Sequence, residues 1–166
     1  MQLERSTGAG KRLMPAAVAL LIVVTASQAW ADFKAGVEAY QRGDYATALT
    51  EFRPLAQQGN AVAQSNLGLM YDFGRGVPQD YAEALRWYRL AAEQGNAVAQ
   101  NNLGVMYGQG LGVPRDYVQA HMWVNLAAAQ GNENARRARD RLAARMTRAQ
   151  LTDTQRLARE WKPKGK

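Results

Sequence analysis

The chain has 166 residues, with 21 Lys and Arg against 14 Asp and Glu, a single histidine and no cysteine. That composition excludes disulfides, thiolate nucleophiles, thiolate metal sites and any zinc site built on a histidine pair, so the fold must hold by packing alone. Residues 133–166 carry 11 basic and 4 acidic side chains, whereas residues 32–132 carry 7 and 9; the formal charge of +7 and pI near 10.0 therefore report one basic C-terminal segment, not a basic protein.

The N-terminus has the three parts of a secretory signal. Arg5, Lys11 and Arg12 precede the apolar run from Ala16 to Val24, and Ala29-Trp30-Ala31 places small residues where a signal peptidase reads them. A spanning helix needs roughly 20 apolar residues, and Thr25, Ser27 and Gln28 interrupt this run well before that. Residues 1–31 are thus expected to be a leader cleaved after Ala31. No cysteine follows to carry a lipid, and no second apolar stretch could cross a bilayer. The mature chain, 32–166, is expected to lack a transmembrane segment and to be soluble, in a bacterial periplasm or secreted beyond it.

Self-similarity is the strongest internal signal. Tyr45–Asp80 aligns without a gap on Tyr81–Asp116, a period of 36 residues with 23 identities, and a third copy opens at Tyr117 and runs to Asn132. Each unit reads as two helices. The first, over about 61–73, places Ala63, Leu67, Met70 and Tyr71 on one face. Gly74-Arg75-Gly76-Val77-Pro78 then interrupts it. Asp80 is the expected N-cap of the second helix, with Glu83 completing a capping-box-like pair. That helix buries Ala84, Trp87, Tyr88, Ala91 and Ala92 and stops at Gly95. Gly68 and Gly104 give up side chains in mid-helix, which costs about 1 kcal/mol each against alanine. Such gaps are expected to receive another backbone or the Trp and Tyr rings of a neighbouring unit, since one hairpin alone cannot bury Trp87 and Tyr88.

The set Ala61, Ala63, Leu67, Gly68, Tyr71, Gly74, Gly76, Val77, Asp80, Ala84, Trp87, Tyr88, Ala91, Ala92 and Gly95 closely resembles a Sel1-like repeat, and 97–131 repeats most of it. Sel1-like repeats belong to the tetratricopeptide superfamily, so the resemblance implies an all-α fold, an α/α solenoid of about four helix hairpins, and an adaptor role. Residues 32–60 look like a tetratricopeptide hairpin that opens the array, because Gly36, Gly43-Asp44-Tyr45, Ala48 and Phe52 match that pattern without the longer loop. Residues 61–131 are the two Sel1-like units. Residues 132–166 are expected to form a polar capping hairpin and tail, with helices near 133–145 and 148–161 and Thr147 as an N-cap, since terminal repeats meet water on one face. The resemblance also implies that first helices line a concave groove. Val62, Ser65, Asn66, Leu69 and Asp72 would face it from one unit, and Val98, Asn101, Asn102, Val105 and Gln109 from the next. Asn66 and Asn102 share one repeat position, and an amide there can donate to and accept from an extended peptide. The alternative is that these residues solvate an exposed face.

Chemistry-bearing motifs are scarce. His121 stands where the preceding unit has Leu85 and reads as a packing or semi-exposed residue. The Gly74–Gly76 and Gly108–Gly112 runs contain glycine-x-glycine but follow helices, not strands, and so are not phosphate loops. No catalytic, metal or cofactor-binding residue is assigned, and no cofactor is expected. Arg136, Arg137, Arg139, Arg141, Arg145 and Arg148 form a basic patch that either docks an anionic partner or solvates the capping helix. The function expected is an exported scaffold for protein or peptide, not an enzyme. An anionic cell-envelope component, with polysaccharide or peptidoglycan bound through Trp87, Trp123 and the arginines, is the alternative, and a hydrolase a weaker one. Nucleic acid is a poor partner for an exported chain.

Overall fold

The computed structural model describes residues 16–164, with side chains from residue 28 onward. The basic residues of the expected leader, Arg5, Lys11 and Arg12, lie outside the described residues. Among the described residues eight helices follow in order: α1 (Ala16–Gln41), α2 (Tyr45–Gln57), α3 (Ala61–Phe73), α4 (Tyr81–Glu93), α5 (Ala97–Gln109), α6 (Tyr117–Ala129), α7 (Glu133–Ala143) and α8 (Arg148–Glu160). The described residues contain no strand, and none of their helices is long and apolar enough to cross a membrane.

Caps set the boundaries in strict alternation. Aspartate starts the second helix of each unit: Asp44, Asp80 and Asp116 accept hydrogen bonds from backbone N–H groups of the next turn. Asparagine starts the first helix of each unit, at Asn60, Asn96 and Asn132. Each such cap contributes about 1 kcal/mol by pairing donors that a helix end leaves open. The reciprocal box expected at Asp80 and Glu83 is not formed, because Glu83 turns forward to Arg86 at 2.8 Å. The full box lies instead at Thr147, whose backbone N–H donates to Gln150 Oε1 at 2.9 Å.

Consecutive helices pack on one another from α1 through α7, giving an all-α solenoid. The glycine notches are filled, but from within each hairpin and not from the next unit. A Cβ on Gly36 would lie 2.7 Å from the Phe52 ring, one on Gly68 2.5 Å from the Tyr88 ring, and one on Gly104 2.6 Å from Val124 Cγ1 and 2.9 Å from the Ala120 carbonyl oxygen. These approaches lie inside van der Waals contact, so glycine alone permits them. The tryptophans do the other task. Trp87 in α4 belongs to the cluster built on α1–α3, and Trp123 in α6 to the one built on α4 and α5. Each indole is 7% exposed and bridges to the preceding hairpin. The apolar interior accordingly comprises three successive clusters, the last at α6 and α7, with Tyr71 packed against the first two.

Two further contacts recur once per unit. Gly76 and Gly112, at φ +72° and +65°, bring their loops so close to the Tyr45 and Tyr81 carbonyls of the preceding second helix that a Cβ would sit 2.8 and 2.5 Å away. Gln64 and Gln100 are buried at the end of the Gln-Gly-Asn-Ala-Val-Ala-Gln motif. Gln64 Nε2 donates to the Ala56 carbonyl at 3.1 Å and its Oε1 accepts from Gln94 at 2.7 Å; Gln100 does the same with Ala92 and Gln130 at 3.1 and 2.8 Å. The buried amide thus satisfies a helix-terminal carbonyl and is itself satisfied, as a buried polar group must be.

The last helix pair departs from the hairpin plan. α8 packs on α6, not on α7. The polar α7 buries only Ala135 and has little apolar surface to offer, whereas α8 lays Leu157, Ala158 and Trp161 against the α4–α6 cluster, with the Trp161 and Trp123 rings edge-to-face at 6.3 Å. Lys164 then ties the tail to α4, its N–H donating to the Glu93 carbonyl at 2.7 Å and its Nζ to the Glu93 carboxylate at 2.9 Å.

His121 lies in the core, 8% exposed, with Nδ1 unpaired among the described residues. Burial, followed by the Arg139 charge, pushes its pKa below the ordinary 6.5, while Asp140 pulls the other way. The neutral form is therefore the folded form, and stability from this site is complete above pH 6.5 and lost as pH falls through it towards the lowered folded value. His121→Leu, the residue its sister unit carries at this position, should flatten the acid-side fall in urea midpoint between pH 7.5 and 5; an unchanged slope would place the titration elsewhere. Gly104→Ala should cost about 1–3 kcal/mol in urea unfolding despite its better helix propensity, since the Ala120 carbonyl cannot swing aside. A neutral or stabilising Gly104→Ala would mean the notch is not filled.

Candidate functional site

α3, α5 and α7, the first helices of successive units, lie side by side along one layer. On α3 the residues 62, 66, 69 and 73 share a face, and on α5 their counterparts 98, 102, 105 and 109 do so. Val62 and Val98 are 47% and 49% exposed, and Phe73 is 58% exposed. Asn66, Leu69, Asn102 and Val105 are half-buried and Gln109 is exposed. Large apolar side chains left in water at the same position of two units are unusual for a solvated helix face, which ordinarily carries charge.

Beside this stripe runs a polar line. Tyr88 Oη donates to Asp72 Oδ2 at 3.3 Å, and Asn101 Nδ2 donates to Asn102 Oδ1 at 3.2 Å, leaving the buried Asn101 Oδ1 without a partner among the described residues. Burial raises the Asp72 carboxyl above its usual range, opposed by the Tyr88 hydrogen bond. Burial and the neighbouring Asp72 together push the Tyr88 phenol far up, so it stays a neutral donor. Ser65 is buried and packs into the hairpin instead of lining an open face. At the open edge the Arg75 guanidinium stacks 5.1 Å from the Phe73 ring and donates to the Tyr40 hydroxyl.

Of the six arginines, Arg136 pairs with Glu133 at 3.2 Å and Arg139 with Asp140 at 2.9 Å. Arg137, Arg141, Arg145 and Arg148 have no carboxylate within 4.0 Å among the described residues. Arg141 and Arg145 do not stand apart from the α5 face. They rim a cavity of about 210 Å³ whose walls include Val105, Gln109, Gly108, Val124 and Leu142. Two groups of residues that read separately in the sequence, the α5 stripe and the basic segment, therefore meet at one place. Phe73 and Gly108 could not be singled out beforehand: in the alignment they are merely positions where the two units differ.

The tryptophans proposed as sugar platforms are unavailable for that role. Trp87 and Trp123 are buried, and the Arg86 guanidinium lies over the Trp87 ring, 4.1 Å from its centroid. His121 is likewise buried.

Comparison with known proteins agrees with this architecture. The family model for the Sel1 repeat matches residues 61–96 and 97–132. A protective antigen present in uropathogenic Escherichia coli strains, described as displaying an SLR fold, superposes with a TM-score of 0.77 at 35% sequence identity over 82% of this chain. A Sel1 repeat protein from Oxalobacter formigenes superposes with a TM-score of 0.60 at 38% identity over 63% of it. The chain spans 30% and 41% of the lengths of those two proteins. Comparison with curated proteins gives no match. With two matched units, an all-α solenoid and these neighbours, the chain is a Sel1 repeat protein, a scaffold fold that generally serves protein–protein interaction.

Proposed function

We propose that the protein is an exported scaffold that holds an extended segment of a partner protein along the face formed by α3 and α5. The observation that carries this reading is the matched pair of stripes, Val62-Asn66-Leu69-Phe73 and Val98-Asn102-Val105-Gln109, in which Val62, Val98 and Phe73 are exposed and the amides Asn66 and Asn102 are half-buried beside them. The apolar groups supply contact area, and each amide offers a donor and an acceptor to a peptide backbone. Asp72, held by Tyr88, adds an acceptor at the C-terminal end of α3. Export rests on the leader: a basic start, an apolar run too short to span, and Ala29-Trp30-Ala31 ahead of Asp32.

Affinity capture from the periplasmic fraction of the source cells is the direct test. The bait recovered from that fraction should begin at Asp32, and it should bring down a partner protein. Asn66→Ala together with Asn102→Ala should weaken that capture about tenfold, the loss of two ordinary hydrogen bonds, with little change in melting temperature. Undiminished capture by the double variant would remove the α3–α5 face from the account.

A further inference from the structure

Gly108 is the glycine that the fold does not explain. Gly68 and Gly104 are forced, because a Cβ there would meet a ring or a backbone oxygen below 3.0 Å. At Gly108 a Cβ would meet only Ala120 Cβ and Leu142 Cδ2, both at 3.6 Å, which is ordinary contact. Its backbone is helical, inside α5, so alanine would fit and would improve the helix. The preceding unit carries Asp72 at this position, so the repeat frame does not demand glycine either. What the missing side chain does is keep open the cavity between α5 and α7, of which Gly108 forms a wall.

That cavity has two chemically distinct parts. Its walls are largely apolar, from Val105, Val124, Ala138 and Leu142, with Gln109 and Tyr117 beside them, and its rim carries Arg141 at the end of α7 and Arg145 in the turn that follows. Neither guanidinium has a carboxylate within 4.0 Å among the described residues, although Arg136 and Arg139 on α7 both do. At about 210 Å³ it is smaller than the 300–1,000 Å³ typical of pockets for whole small ligands, and is of a size for one side chain. It also continues the α5 stripe, sharing Val105 and Gln109 with it.

We propose that this cavity is a specificity pocket for an acidic peptide: it seats one branched apolar side chain of the bound segment, while Arg141 and Arg145 hold the carboxylate of an adjacent Asp or Glu. Arginine suits the role, since its planar fork pairs a carboxylate through two parallel N–H donors. The inference rests on the α3–α5 face being a peptide-binding face, and gives that face a polarity: the acidic part of the segment lies at the α7 end. The −2 balance of residues 32–132 against the +7 of residues 133–166 favours the same direction.

The test is an NMR titration of the isotope-labelled full chain with two blocked hexapeptides, acetyl-Ser-Gly-Leu-Glu-Gly-Ser-amide and its Leu-Gln twin. The Leu-Glu peptide should shift the Arg141 and Arg145 Nε–H signals and the Val105 and Leu142 methyls saturably. The Leu-Gln twin should bind at least tenfold more weakly, and the difference should shrink in 0.5 M salt. Arg141→Gln with Arg145→Gln should lose the same tenfold. Gly108→Ala should raise the melting temperature by about 4 °C yet weaken the Leu-Glu peptide several-fold, a stabilising change that harms binding. Equal binding of the twins, or full binding by the stabilised Gly108→Ala protein, would overturn the pocket. Shifts confined to the Asn66 and Asn102 amides would overturn it while leaving the peptide-binding face intact. Shifts confined to the pocket would support it and count against the longer groove. A response to phosphatidylglycerol vesicles with none to either peptide would overturn it in favour of a lipid surface.

Discussion

A ring or branched side chain pressed onto a bare helical backbone is the contact on which this solenoid depends. It occurs three times: Phe52 on Gly36, Tyr88 on Gly68 and Val124 on Gly104. The absence of a Cβ lets the two helices of a hairpin approach until the side chain of one touches the main chain of the other. Dispersion and apolar burial at that contact must outweigh the helix propensity lost at glycine, about 1 kcal/mol. Because the contact is made inside the hairpin, it fixes the geometry of each unit before neighbours are added. In the second and third of these contacts, the tryptophan at the preceding position, Trp87 or Trp123, reaches into the unit before. Adjacent residues on one helix, Trp87 and Tyr88, thus divide the labour between joining units and closing one. That division is what turns a 36-residue duplication into a rigid array.

Much of this was legible in the residues. The 36-residue period, the helix bounds, the aspartate caps and the glycine stops follow from spacing and from the physics of helix ends, and the helices start and stop where those signals lie. The mid-helix glycines announced close approach, but not what would approach. A linear pattern cannot tell whether the ring that fills a notch comes from the same hairpin or the next one. The buried glutamines were invisible for a related reason: Gln64 and Gln100 look like solvated motif residues, and their role appears only when the carbonyls of Ala56 and Ala92 are seen beside them. The course of α8 was also closed to sequence reasoning, which paired it with α7 by adjacency, because nothing in α8 itself reveals how little apolar surface α7 presents.

The candidate site divides along the same line. The family resemblance pointed to the α3 and α5 faces, because first helices line the groove of such solenoids. It could not locate the pocket at α7, which depends on positions where the units differ. Gly108 replaces Asp72, and Arg141 and Arg145 lie in a segment that no longer aligns. Frame residues repeat because packing demands it, whereas recognition residues are free to diverge, so the features most specific to this chain are the ones a repeat alignment hides. The accessible chemistry of the array is correspondingly modest. Its one histidine, Trp87 and Trp123 are buried, and the α3–α5 face with the adjoining basic segment offers amides, valines, one phenylalanine and a group of arginines.

The most direct examination of the central contact is a double-mutant cycle on Gly68 and Tyr88, read by urea unfolding with helicity as a check on folding. In the native background a methyl on Gly68 collides with the tyrosine ring, so Gly68→Ala is expected to destabilise. After Tyr88→Ala the ring atoms are gone, and the same Gly68→Ala change should become neutral or stabilising through helix propensity alone, a coupling of at least about 1 kcal/mol. If Gly68→Ala shifts stability by the same amount in both backgrounds, the ring does not rest on that backbone, and the account of how these hairpins close is wrong.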